Sequence, residues 1–398
     1  MDRRAFLRQS LASVACSAAA HPLLTTVTLA SGAAALGDKR LIVVILRGAM
    51  DGLDVVQPLG DPLFRDYRPN LGRKTGATDL DGYFGLHPLL GGLMPLWSKG
   101  ELAFVHATST PYRDKRSHFD GQDLLEAGTG SDLLLGQTQR DGWMNRMLQA
   151  IPGLTAETAY AFGNEAAPLL VGAAPVMNWS PELSLDLTPQ SQLLLEHIYK
   201  GDPLFAASAA GALELSAEMA GMDLREGAGG GPLAGIDPLV DFAASRLAEE
   251  TRIAAFSLGG WDTHRTQKTA IQRSLKQLEH LILRLREKLG PAVWGQSVLL
   301  TMTEFGRTAR ENGSKGTDHG TGGLMIAAGG AVNGGRVLGR WPGLDEAALY
   351  DRRDLMPTSD VRDWAAYAMR GLYGFDKGLL EKVVFPGLIL GDDPGLIL

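Results

Sequence analysis

The chain has 398 residues, 45% of them apolar and 21% charged, with a formal net charge of -7 and a single cysteine, Cys16. That length and apolar content suit a large α/β protein with its own core, and the ordinary charged fraction argues against disorder. No basic stripe or Lys/Arg run is present, so nucleic acid is excluded as a partner, and one cysteine near the start rules out a disulfide framework or a thiolate metal site.

The chain opens with Arg3 and Arg4 followed by Ala5-Phe6-Leu7, and then an apolar, small-residue stretch from Leu11 to about Ala35, with no charge between Arg8 and Asp38. A charged start, an apolar middle and the A-x-A pattern at Ala33 and Ala35 read as a twin-arginine signal over residues 1–35. The expected partner in export is the twin-arginine translocase, and the expected location is the periplasm or outside the cell. A membrane span is the weaker reading, because His21, Pro22 and several Thr and Ser residues dilute the stretch.

Residues 36–398 are expected to form one α/β domain. Leu41–Leu46, Leu102–His106, Ile253–Leu258, Val298–Thr303 and Leu324–Ala328 are apolar runs of strand length, the mark of strands buried on both faces. Ile271, Leu275, Leu278, Ile282, Leu285 and Leu289 lie three or four apart, which predicts one long helix with an apolar stripe. Strands alternating with helices predict a doubly wound, mostly parallel sheet covered by helices on both faces. Residues from about 130 to 250 read as a helical insertion, with helices near Ser191–Tyr199 and Ala206–Met219 and a Gly-rich loop after them. Ser359 and Asp360 are expected to cap a last helix reaching Tyr373.

The polar residues at the ends of the predicted strands carry the chemistry. Asp51 follows the first run, Asp262 and His264 the third and Glu304 the fourth, while Asp318 and His319 precede the fifth. Ligands in such sheets bind beyond the carboxyl ends of the strands, and gathered carboxylates repel one another unless a cation joins them. With no thiol available, the site would be built from His, Asp and Glu, ligands for zinc, manganese, magnesium or calcium. The plainer alternatives are turn or cap roles for each Asp, and an ion pair of Glu304 with Arg307.

Several blocks resemble the signature of a bacterial family, domain of unknown function 1501. They are Arg47-Gly48-Ala49-Met50-Asp51-Gly52-Leu53, Arg116-Ser117-His118-Phe119, Gly260-Trp261-Asp262-Thr263-His264, Thr303-Glu304-Phe305-Gly306-Arg307-Thr308 and Thr317-Asp318-His319-Gly320. That family is grouped with the alkaline phosphatase and sulfatase superfamily. The resemblance implies that Asp51, Asp262, His264, Glu304, Asp318 and His319 hold one or two divalent metals. It also implies that Ser117 is a nucleophile at a helix start, with His118 and Arg307 in the catalytic group. Two features depart from the superfamily: the Asp–His spacing is shorter, and Phe305 stands where a metal-binding His is expected, which leaves His118 or Asp318 to supply that ligand. The implied activity is hydrolysis of phosphate or sulfate esters, with a small ester or other anion as partner. A non-catalytic ligand- or partner-binding protein on the same scaffold is the alternative. A redox enzyme has no support in thiols or in a dinucleotide-binding glycine pattern.

Overall fold

The computed structural model describes residues 36–72, 76–130, 141–163, 165, 167–181, 233 and 235–398. The expected signal at 1–35 lies outside them, as do the expected helices over 191–199 and 206–219 and most of the Gly-rich loop. Among the described residues, no helix is long and apolar enough to cross a membrane.

One large sheet organises the described chain. Its strands are β1 Arg40–Leu46, β2 Leu102–Ser109, β3 Ala159–Phe162, β4 Met177–Trp179, β5 Ile253–Leu258, β6 Ser297–Met302, β7 Gly323–Ala328, β8 Arg336–Leu338 and β9 Ser359–Asp360. They lie in the order β8-β2-β7-β6-β1-β5-β3-β4, with β9 beside β2. The five longest strands, β1, β2, β5, β6 and β7, cover the five apolar runs. Within the region of the expected insertion, the described residues add the two short strands β3 and β4 to one side of the sheet, along with helices at Trp143–Gln149 and Asp237–Ala248.

The covering helices are α1 His118–Ala127, α2 Trp143–Gln149, α3 Asp237–Ala248, α4 Gln272–Trp294 and α5 Val361–Tyr373. Central β1 shows why both faces need cover, since all seven of its residues are buried. Its side chains alternate. Ile42, Val44 and Leu46 join the core with Leu275, Leu278 and Leu285 of α4 and Phe242 of α3. Leu41, Val43 and Ile45 join the other core, with Trp364 and Met369 of α5 and Trp143 and Met147 of α2. Asp360 caps α5 in a reciprocal capping box with Asp363. The fold is therefore the doubly wound, mostly parallel α/β architecture.

Strand direction decides where the polar residues meet. Within this sheet every strand pairing is parallel except those of β7, which runs antiparallel to both β2 and β6. The residues before β7 therefore reach the same edge as those after β1, β5 and β6. A parallel fifth strand would have sent Asp318 and His319 to the opposite edge. The segments on either side of this reversal run backbone against backbone, with Gly306 N donating to Thr321 O at 3.0 Å and Gly320 N to Gly306 O at 2.8 Å. A Cβ on Gly306 would stand 1.8 Å from Gly322 O, so only glycine fits there.

Candidate metal centre

Three histidines reach one spot at this edge, each from a different segment. His118 opens α1, His264 follows β5 and His319 precedes β7. Asp262 Oδ1 lies 3.0 Å from His264 Nε2, 3.2 Å from His319 Nε2 and 3.5 Å from His118 Nε2. The Nε2 atoms of His264 and His319 are 2.9 Å apart. Ligand atoms of His118, Asp262 and His319 all lie within 4.8 Å of one another.

The far side of each ring is fixed by a partner that can only accept. His118 Nδ1 is 2.7 Å from Glu304 Oε1, His264 Nδ1 is 3.3 Å from Asp318 Oδ1, and His319 Nδ1 is 2.9 Å from the carbonyl of Arg116. A carboxylate or carbonyl opposite Nδ1 places the proton there, so the neutral ring turns its Nε2 lone pair toward the centre. His118 Nε2 is buried and has no hydrogen-bond partner. Three lone pairs and a carboxylate oxygen facing one another repel in the absence of a cation. The residues present thus fit a metal, and the fit rests on the orphaned nitrogen and the three fixed tautomers.

Local backbone chemistry sets these positions. Ser117 caps α1, its Oγ accepting from Asp120 N at 3.4 Å, while its own amide donates to Tyr112 Oη at 2.7 Å. Arg116 before it has φ 53°, an uncommon conformation for a non-glycine residue, and its carbonyl is the one that holds His319. Gly48 has φ 113°, and a Cβ there would lie 2.6 Å from Asp262 N. Its amide donates to Glu304 Oε1 at 2.9 Å, so the turn after β1 and the residue after β6 hold each other.

Glu304 is fully buried. Oε1 also accepts from Gln122 at 3.1 Å, and Oε2 lies 3.0 Å from Thr303 Oγ1, whose one proton is shared with Leu46 O at 2.8 Å. Burial works against its charge, but His118 and the other donors outweigh it and hold the carboxyl below its ordinary range. The Glu304 hydrogen bond is in turn the main cause raising His118. Phe305 stacks on the His118 ring, with centroids 5.2 Å apart and planes 23° apart, so it braces the ring from the position where a ligand was expected.

Arg307 is buried and spends its nitrogens on the protein. Nε donates to Ala49 O, Nη1 to Thr317 O, and Nη2 to Gly48 O, Trp261 O and Asp262 Oδ1, the last at 2.6 Å. The plain alternative of a Glu304–Arg307 pair does not form. Burial would raise Asp262, but Arg307, His319 and His264 together hold it down to about 2.

Asp51, expected among the ligands, is committed elsewhere. Both of its oxygens bind Arg68, at 2.6 and 3.1 Å, and Gln267 Nε2 adds a third bond at 2.6 Å. Gln267 also donates to Asp54 Oδ2 at 2.9 Å, and its Oε1 accepts from Thr263 at 3.0 Å and Thr317 at 2.7 Å. This closed cluster lies directly behind the loops that carry Asp262, His264 and Asp318. Asp318 itself sits behind His264, accepting also from Asn312 at 2.9 Å. Of the expected ligands, the structure brings together Asp262, His264 and His319, sets beside them His118, one of the two residues offered in place of Phe305, places Glu304 and Asp318 behind the rings, and keeps Asp51 apart. Sequence reasoning missed Arg68 and Gln267, which lie in no motif; a buried Arg can be read from sequence only once its partner is known.

Solved structures resemble this chain at low identity. The lipoteichoic acid synthase LtaP from Listeria monocytogenes matches at 10% identity and TM-score 0.42, covering 88% of this chain and 75% of that one. The C-terminal periplasmic domain of EcEptC from Escherichia coli, in a complex with Zn, matches at 12% and 0.37, covering 74% of each. A protein in the alkaline phosphatase superfamily from Vibrio parahaemolyticus matches at 11% and 0.36, covering 76% of this chain and 62% of that one. At such identities and scores, these likenesses say nothing of what this chain binds. No curated protein matches. Residues 107–363 match the family model described as Protein of unknown function (DUF1501), and the chain belongs to that family.

Proposed function

We infer that this protein is an exported metal-dependent hydrolase of small phosphate or sulfate esters, with one divalent metal held by His118, His264, His319 and Asp262. The observation that carries the reading is the set of three imidazoles with Nδ1 engaged and Nε2 directed at Asp262. Three nitrogens and one carboxylate oxygen suit zinc or manganese better than magnesium or calcium, which prefer oxygen throughout. When bound, such a cation supplies Lewis-acid polarisation of an anionic ester.

The chain's own residues supply the rest. Glu304, Asp318 and the Arg116 carbonyl orient the rings, and Arg307 balances Asp262 from within. Ser117 Oγ is the proposed nucleophile, since it stands at the start of α1 directly before His118. Arg116 is the cation proposed to meet the ester's oxygens: its side chain is 37% exposed and, among the described residues, its ion-pair partner is Asp354 at 3.7 Å. Arg307, with its nitrogens bound inside, is a positioning residue. Export by the twin-arginine pathway is part of the same proposal and rests on residues 1–35 of the sequence.

The capping role of Ser117 favours the second reading, a binding protein without catalysis. Turnover of aryl phosphate and aryl sulfate by the zinc- or manganese-loaded protein separates the two. Hydrolysis that disappears in Ser117→Ala while metal content stays constant supports the hydrolase. A fully loaded protein that turns over neither ester leaves the binding reading.

A further inference from the structure

We propose that Arg353 is a specificity-determining residue, whose paired Nε and Nη2 donors take a carboxylate carried by the ester at the metal centre. The inference rests on the ester reading of that centre. It names the substrate class as phosphate or sulfate esters with a carboxylate at a second end.

Arg353 is anchored through one nitrogen. Its Nη1 donates to the main-chain carbonyl of His319 at 3.0 Å and to Asp354 Oδ1 at 3.0 Å. Asp354 is fully buried, and its other oxygen accepts from Thr321 Oγ1 at 3.0 Å. That second oxygen also lies 3.7 Å from Arg116 Nη2. Arg116 offers its own carbonyl to His319 Nδ1. Both arginines are therefore tied to one proposed ligand, Arg116 through the ring and Arg353 through the main chain.

The backbone holds Arg353 in a tight turn. Tyr350 and Asp354 exchange main-chain bonds of 2.9 Å across it, and the Arg353 carbonyl accepts from Ala309 N at 3.1 Å. Asp351 and Arg352 within the turn have φ of 52° and 55°, a conformation strained for side chains of that size. Tyr350 Oη donates to Asp114 Oδ1 at 2.8 Å, which joins the turn to the segment carrying Arg116 and Ser117.

The anchoring leaves the edge that carries Nε and Nη2, whose N–H bonds run side by side and match the two oxygens of a carboxylate. The chain uses this edge on carboxylates elsewhere. Arg284 lays it on Asp241 at 2.6 and 2.7 Å, and Arg362 lays it on Asp360, with Nη2 at 2.7 Å. On Arg353, among the described residues, the edge meets no acceptor, and the side chain is 34% exposed. Because Arg353 grips the main chain of His319, the edge stands back from the oxygens that Arg116 is proposed to meet. An anion on it belongs to another end of the same substrate. A carboxylate fits by its plane, its two oxygens and its single charge.

Calorimetric titration of the zinc-loaded protein with ω-carboxyalkylphosphonates of increasing chain length, each beside the alkylphosphonate of equal length, tests the edge. At least one carboxylate compound is expected to bind about tenfold or more tightly than its match. That ratio should fall to about one in Arg353→Met, and below about threefold in Arg353→Lys, which keeps the charge without the paired donors. A ratio near one along the whole series in the parent would overturn the inference alone. An undiminished ratio in folded Arg353→Met or Arg353→Lys would do the same. Failure of every phosphonate to bind the loaded protein would overturn the ester reading together with it.

Discussion

Two Asp–Arg pairs lie at the same edge of the sheet, and they have opposite characters. Asp51 and Arg68 are sealed, with side chains 1% and 0% exposed, and every oxygen of Asp51 is bonded to Arg68 or Gln267. Asp262 meets an equally buried Arg307, yet its own side chain is 46% exposed and faces three imidazoles. A carboxylate becomes a candidate ligand when the donors around it are too few, or carry lone pairs of their own, and a strand-end position alone does not make it one. The closed pair supports the loops, and the open pair holds the candidate metal centre.

The comparison is broken most severely by removing the guanidinium of the closed pair. Arg68→Met strands Asp51 and Asp54 in the interior, and the expected loss is about 3–5 kcal/mol in chemical denaturation. A loss below about 1 kcal/mol would mean that the pair is not the support described here.

Acid sharpens the contrast next. His106 packs beside the closed cluster, bonded to Val56 O at 2.9 Å and fully buried, and burial lowers it from 6.5 to about 4. Between those values the unfolded chain binds a proton that the folded one refuses, so stability falls as pH drops through that window. The expected loss from His106 is about 3 kcal/mol. Denaturation midpoints at about pH 7 and about pH 4.5 should converge in His106→Gln relative to the parent, and equal slopes would contradict this.

In the open cluster, Glu304→Gln keeps an acceptor behind His118 but removes the charge. Metal affinity should drop by about 10–100-fold, read by competition with a chelator. Last, Thr317→Val removes one hydrogen bond to Gln267 and should cost about 0.5–1.5 kcal/mol, leaving metal stoichiometry unchanged.

The five long strands and helix α4 were legible because continuous apolar runs and three-four spacing leave few other structures. Strand direction was not: six apolar residues read the same either way, so the reversal of β7 appears only in the pairing. β3 and β4 are too short, at four and three residues, to stand out in a region rich in helical signals. At the site, the positions of Asp262 and His264 followed from the end of a strand, whereas His319 reaches them only because β7 is reversed. Asp51 stood at an equivalent position, but Arg68 lies in an irregular segment whose path no local pattern gives. His118 took its place in the cluster through Glu304, a contact between residues 186 apart.

The most direct test is elemental analysis of the protein purified without chelator, beside the Asp262→Ala/His264→Ala double variant. The parent is predicted to carry about one equivalent of zinc or manganese, and the variant, folded by the same criteria, close to none. A well-folded parent that holds no metal, even after reloading, would contradict the account of the centre.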